Sequence, residues 1–297
     1  MNILVFRINK EKYAPERLQE EARQLGCRLE IVQYQDLTFD FSFQKMTVSV
    51  NGHSLDDYQG AIFRVAGTRT GGYIAFRNLL IRYLLSQNKK VLNGRSYLRF
   101  PRLDKLTQAY HLVDQGLPVV KTVSFGANLS LAELKKLLKK EVGFPCLVKP
   151  RFGAQGRGIE KITSPEDLEK IYPLLTTKGL EMWLFQPFLP VGQDYRLIVL
   201  GGQVIGVMKR VAAPGSVVTN FSQGGQVLAI KPTAEQIQLA EAAASVFTLD
   251  YAGIDIIHDS SGKPCILEVN RACQFKGFES VTGINVARKL LEWLSGR

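Results

Sequence analysis

The chain has 297 residues, 45 % of them apolar, and a formal net charge of +11. That length supports two or three small domains with a sizeable core, and the composition excludes wholesale disorder. No apolar run reaches the roughly 18 residues of a membrane span. Arg7 interrupts the short apolar start, and no small-residue cleavage site follows, so Met1–Asn9 reads as a first strand and not a signal peptide. Cys27, Cys146, Cys265 and Cys273 form no CxxC pair, which argues against zinc and a disulfide framework and makes a reducing cytoplasm the default.

Residues 1–102 alternate strand and helix patterns. Ile3–Phe6 is an apolar strand, Pro15–Leu25 a helix closed by Gly26, and Leu29–Tyr34 a strand. A hairpin-like stretch centres on Val48-Ser49-Val50-Asn51-Gly52. Ala61–Val65 is a short buried strand, Ile74–Ser86 a helix and Val91-Leu92 another strand. This order predicts a small α/β domain with a mostly parallel sheet. No GxGxxG follows its first strand, so no dinucleotide site is expected there.

In residues 103–190, Asp104–Gln115 is a helix ended by Gly116, and Ser130 opens another with Glu133 completing a capping box. The lysine runs 135–136 and 139–140 fall on that amphipathic helix and read as its solvated face. Phe144–Lys149 is an apolar strand. Ser164-Pro165-Glu166-Asp167 has the cap, proline and acids of a helix start, and Trp183–Phe188 is a strand. In residues 191–297, Tyr195–Leu200 and Val204–Met208 form a hairpin around Gly201-Gly202, and residues 212–225 read as a flexible loop. Thr233, with Gln236, caps a helix to about Phe247. Gly253–Ile257 and Cys265–Val269 are strands, and Ile284–Leu294 is the last helix.

Three features carry chemistry. Asp255 sits among aliphatic residues, and Glu268 and Asn270, two apart on a strand, share a face. A carboxylate inside an apolar strand is costly unless it is paired or binds a cation. Two carboxylates and an amide oxygen suit Mg²⁺ or Mn²⁺; two acids each paired with an arginine is the other reading the residues allow. Second, Lys149 ends a strand and is followed by Gly153, Gly156 and Gly158. Glycines let backbone N–H groups wrap phosphate oxygens, and a lysine adds charge, although a plain turn between two strands has the same pattern. Third, Asp194, Arg196, Lys209, Arg210 and Asn220 cluster on and after the hairpin.

In that order the sequence resembles the ATP-grasp superfamily, in particular amino-acid ligases of the RimK and LysX type. The resemblance covers roughly residues 60–295. It is carried by Phe63-Arg64-Val65, Leu103-Asp104-Lys105-Leu106, Leu147-Val148-Lys149-Pro150, Phe185-Gln186-Pro187-Phe188, Asp194-Tyr195-Arg196, Lys209-Arg210, Asn220 with Gly224-Gly225, Ala252-Gly253-Ile254-Asp255, Leu267-Glu268-Val269-Asn270 and Thr282-Gly283-Ile284-Asn285. It implies an ATP-grasp fold behind an N-terminal pre-ATP-grasp domain, divided at 1–102, 103–190 and 191–297.

The implied activity joins a carboxylate to an amine through an acyl phosphate, with ATP and magnesium. Lys105, Lys149, Gly153 and Gly156 would face the phosphates. Gln186, Pro187 and Phe188 would line the adenine hinge, and Asp194 the ribose. Arg196, Arg210 and Asn220 would steady the transferred phosphoryl group, and Asp255, Glu268 and Asn270 would hold the metal. The implied substrates are a carboxylate and an amino acid or other amine, one of them carried on an acidic protein, a carrier peptide or a small molecule. A homo-oligomer, dimer or tetramer, is expected. Neither a nucleic acid nor a membrane is an expected partner, because no basic stripe is interleaved with aromatic residues and no span is present.

The chain departs from the family at Pro187, which replaces an acid and leaves only a carbonyl for adenine, and at Gln274-Phe275-Lys276, where the LysX type has Glu-Phe-Lys/Arg. A degenerate ATP-grasp module that binds nucleotide or protein without turnover is the competing reading; it would be expected to lose metal ligands, and all three are present. Asp255→Asn or Glu268→Gln is expected to abolish turnover with the fold intact.

Overall fold

A computed structural model describes residues 1–7, 12–64, 73–126, 128–153, 156–213 and 225–296. The first part contains β1 (Asn2–Arg7), α1 (Tyr13–Gln24), β2 (Arg28–Val32), β3 (Leu37–Ser42), β4 (Lys45–Val50), β5 (His53–Ser54), β6 (Gly60–Arg64), α2 (Ile74–Ser86), β7 (Lys90–Val91) and α3 (Gly94–Arg99). The order β2-β1-β6-β7 is parallel throughout, as the alternating pattern predicts. The hairpin-like stretch is larger than expected: β3, β4 and β5 form a separate antiparallel sheet, with Asn51 and Gly52 in the left-handed turn between β4 and β5.

The middle part contains α4 (Lys105–Asp114), α5 (Leu131–Glu141), β8 (Cys146–Pro150), β9 (Glu160–Ile162), α6 (Pro165–Lys178) and β10 (Trp183–Pro187). Its sheet runs β10-β8-β9, all antiparallel. The Ser130–Glu133 box caps α5, whose Leu134 and Leu138 face the core while Lys136, Lys139 and Lys140 face solvent. Ser164 precedes α6 but makes no side-chain cap. Asp167 reaches back to the Thr163 N–H at 3.2 Å and serves that end instead.

The last part contains β11 (Gln193–Leu200), β12 (Gln203–Val211), β13 (Gln226–Ala229), α7 (Ala234–Val246), β14 (Tyr251–His258), β15 (Pro264–Asn270), α8 (Lys276–Thr282) and α9 (Val286–Ser295). Its antiparallel sheet has the order β13-β12-β11-β14-β15. The expected loop at 212–225 falls largely on residues outside the described set. The last helix starts two residues later than its apolar pattern suggests, because the Asn285 side chain caps it through the Arg288 N–H at 2.9 Å.

Chain order and packing differ at the C-terminus. Leu290, Leu291 and Leu294 of α9 share one core with Ile3 and Val5 of β1 and Leu18 of α1. Thus α9 covers the first sheet, and Arg288 ties it to Glu21 at 2.9 Å. Asn93, held left-handed at φ 60°, joins the same parts from the other side. Its amide accepts from the Tyr251 N–H at 2.9 Å and donates to the carbonyls of Tyr251 and Arg271 at 2.7 and 2.9 Å. Two of these three bonds are buried on both sides and the third is partly buried. Asn93→Ala is expected to lower unfolding free energy by about 2–4 kcal/mol, read from the urea midpoint, because it leaves these backbone groups unpaired.

Candidate active site

Strand pairing sets Arg196 opposite Asp255 and Asp194 opposite Arg210. Arg196 Nε and Nη2 donate to the two Asp255 oxygens, each at 2.7 Å. Arg210 grips Asp194 at 2.5 and 2.8 Å, and its Nη2 also lies 3.0 Å from Asp255. Asp194, Arg210 and Asp255 are each 3 % exposed. Burial pushes the Asp255 carboxyl up, but the Arg196 and Arg210 guanidiniums more than offset it and hold it below the usual carboxylate range.

Two expectations change here. Both Asp194 oxygens face Arg210 and not an open ribose site. Asp255 is also the shared counter-charge of two guanidiniums, so its loss would leave both without that carboxylate. The expectation that Asp255→Asn leaves the fold intact is therefore revised.

Beside this chain of charges, Asp255 pairs across the sheet with Glu268, and Gly253 with Asn270. Asn270 Nδ2 donates to Asp255 at 3.3 Å. Glu268, a quarter exposed, lies 3.4 Å from Lys105 Nζ, which also donates to the Gly153 carbonyl at 3.0 Å. Lys149, next to last in β8, is buried and interacts electrostatically with both Glu268 and Lys105. Burial lowers its pKa to about 8; Glu268 and Asp194 oppose the shift, and Lys105 adds to it. The loop between antiparallel β8 and β9 carries Gly153, Gly156 and Gly158 at positive φ, so the turn and the candidate phosphate cradle are one segment. Asp104 caps α4 through the N–H groups of Leu106 and Thr107. Arg151, on the glycine loop, holds the same carboxylate at 2.9 and 3.1 Å.

The donor set fits a hard cation in chemistry. Glu268 is its most accessible carboxylate. Asp255 Oδ1 takes one arginine bond and retains a lone pair, and Asn270 presents its oxygen once its amide turns. No group of three or more His, Cys, Asp or Glu side chains converges among the described residues, so phosphate oxygens and water would complete the shell.

At the hinge, Gln186 Nε2 donates to Thr122 Oγ1 at 2.8 Å, while its Oε1 is buried with no hydrogen-bond partner. Pro187 has no N–H, and the Phe188 N–H is already bonded to the Pro145 carbonyl at 3.0 Å. The hinge thus has no free backbone N–H at 187 or 188, and its unsatisfied acceptor, Gln186 Oε1, is buried. Asn220 lies outside the described residues.

Sequence reasoning did not single out Arg151 or Gln108, because neither stands at a motif spacing. Cys273, on the loop that follows Asn270, is buried, and that burial raises the pKa of its thiol. A Cβ on Gly253 would stand 2.7 Å from the Cys273 Cβ, so the strand needs glycine at this point. Arg64 donates to the Cys273 carbonyl at 2.9 Å and brings the first sheet to the same loop.

Residues 103–294 match the RimK-like ATP-grasp domain, and residues 1–79 match the RimK PreATP-grasp domain. A "probable alpha-L-glutamate ligase" of Psychromonas ingrahamii is 29 % identical over 99 % of this chain and 95 % of its own. One of a Marinomonas species is 30 % identical over 98 % and 94 %. Among solved structures, the ATP-grasp ligase PsnB with minimal precursor, Mg and ADP aligns at a TM-score of 0.73 and 22 % identity, covering 99 % of this chain and 97 % of that one. The macrocyclase MdnC of Microcystis aeruginosa, bound with its precursor peptide, aligns at 0.74 and 14 %, covering all of both chains. These structural likenesses establish the fold.

Urea unfolding should separate the two acids. Asp255→Asn is expected to lose about 3–5 kcal/mol, the scale of a broken buried pair, and Glu268→Gln less than about 1 kcal/mol, because its partner is partly solvated. Lys149 gives a pH signature. Its charge is present below pH 8 and lost above it in the free protein, while bound phosphates favour the charged form. The apparent KM for ATP should rise roughly tenfold per pH unit above that point, and Lys149→Met should abolish the trend.

Proposed function

This chain belongs to the RimK-like ATP-grasp family and is an ATP-dependent ligase that forms C–N bonds; from that premise we propose that its amine substrate is L-glutamate. The names of its relatives support the choice of glutamate. The acceptor in this reading is a carboxylate on an acidic peptide or protein, which the net charge of +11 would attract. The observation that carries the reading is the meeting of Lys105, Lys149 and the glycine loop with Glu268, beside Asp255 and Asn270.

The acceptor carboxylate attacks the γ-phosphorus of ATP, giving an acyl phosphate and ADP. The glutamate amine then attacks the acyl carbon, and phosphate leaves. Lys105 and Lys149 hold the phosphates, the glycine loop closes over them with its N–H groups, and Gln186 Oε1 accepts from the adenine amine. Arg196 is the part of the buried ion chain nearest the surface, at 14 % side-chain exposure, and it faces developing negative charge. Arg210 supports it from below, and Asn220 is assigned to the same phosphoryl group from its place in the sequence alone. Asp255, Glu268 and Asn270 hold Mg²⁺, which neutralises phosphate charge when bound; Mn²⁺ suits the same oxygen atoms. The division into 1–102, 103–190 and 191–297 is proposed with this assignment. No helix among the described residues is long and apolar enough to cross a membrane. A cytoplasmic site of action, where ATP is supplied, is proposed.

The test measures ADP release with ATP, Mg²⁺, L-glutamate and a peptide ending in glutamate. Release should require both substrates, and the peptide should gain the mass of one glutamyl residue. Glu268→Gln should abolish it. Equal turnover with lysine or other amino acids in place of glutamate would overturn the amine assignment.

A further inference from the structure

We propose that Gln108 is a positioning residue for the metal-binding end of β15. The inference rests on the reading of Glu268 and Asn270 as magnesium donors. β15 is an edge strand, so the outward N–H and C=O of Val269 have no strand neighbour. The buried Gln108 side chain takes both. Its Oε1 accepts from the Val269 N–H at 2.8 Å, and its Nε2 donates to the Val269 carbonyl at 3.0 Å. A primary amide offers an acceptor and a donor, as a peptide group does, and here it stands in for a neighbouring strand.

The place of this contact gives it functional meaning. Val269 lies between Glu268 and Asn270, and side chains on a strand project according to the peptide planes that flank them. Fixing both polar groups of Val269 therefore sets the direction of both donors. Gln108 lies one helical turn after Lys105 on α4, and Lys105 reaches Glu268 at 3.4 Å. So α4 grips β15 twice, by charge at Glu268 and by an amide at Val269. Its own start is anchored to the glycine loop through Asp104 and Arg151. Further along the edge, the outward groups of Ile266 are served by the backbone of Pro118 and Val120. The side-chain substitute falls at the residue flanked by the two donors.

Thermal unfolding of the wild type, Gln108→Ala, Gln108→Glu and Glu268→Gln, each alone, with ADP, and with ADP plus Mg²⁺, tests this role. Gln108→Glu is isosteric and faces the Val269 carbonyl with an acceptor. Both Gln108 variants should keep the rise in Tm given by ADP and lose most of the further rise given by Mg²⁺. Half-saturating Mg²⁺ for ADP release should increase about tenfold, the scale of one lost buried hydrogen bond, with little change in the KM for glutamate. A lower starting Tm with the Mg²⁺ increment intact would overturn the proposal and leave Gln108 a cap on the sheet edge. If Gln108→Ala does not fold, Gln108→Glu decides. Retention of the increment in Glu268→Gln would instead sink the metal reading. Its loss there, with retention in the Gln108 variants, would sink the positioning role alone.

Discussion

Four paired charges on three neighbouring strands, three of them buried, set the geometry of the site. Asp194, Arg196, Arg210 and Asp255 sum to zero, and bidentate pairing lets each carboxylate tolerate burial. The arrangement fixes more than its own members. Arg196 cannot swing without abandoning Asp255, and Asp255 also holds the Asn270 amide. Charge positions at the site are thereby built into the pairing of β12, β11 and β14 before any substrate arrives. Phosphoryl transfer gains most from such prior placement, because positioning and charge neutralisation supply nearly all of the catalysis.

The remaining parts close around this sheet from three directions. The middle part contributes Lys149 and the glycine loop. The α4 helix contributes Lys105 and leans on the edge strand. The first sheet is stapled from both sides, by Asn93 and Arg64 near the site and by α9 at the far face. The C-terminal helix thus finishes the domain that the chain began, which makes the first and last parts one packed body even though they lie at opposite ends of the sequence.

What the sequence discloses about this molecule follows the range of the interactions. Helix starts at Ser130 and Thr233 are readable because each capping box closes within three residues. The shared face of Glu268 and Asn270 is readable because strand periodicity is local. The partnership of Arg196 with Asp255 spans 59 residues and depends on strand register, so spacing cannot reveal it. The two residues are each visible as candidates, but their mutual claim is not. Gln108 is quieter still: a glutamine inside a helix has no pattern until the edge of β15 is seen beside it. At the hinge, the loss of the Pro187 N–H is evident from the residue type, whereas the commitment of the Phe188 N–H appears only in the fold.

The close approach of Gly253 to Cys273 has a further consequence. The thiol is walled in by a strand that cannot carry a side chain, by Tyr251, whose hydroxyl it donates to at 3.0 Å, and by a loop pinned through its own carbonyl to Arg64 of the first sheet. An alkylating reagent reaches that sulfur only when these walls part, so the rate at which Cys273 is labelled reads how often this corner of the fold opens.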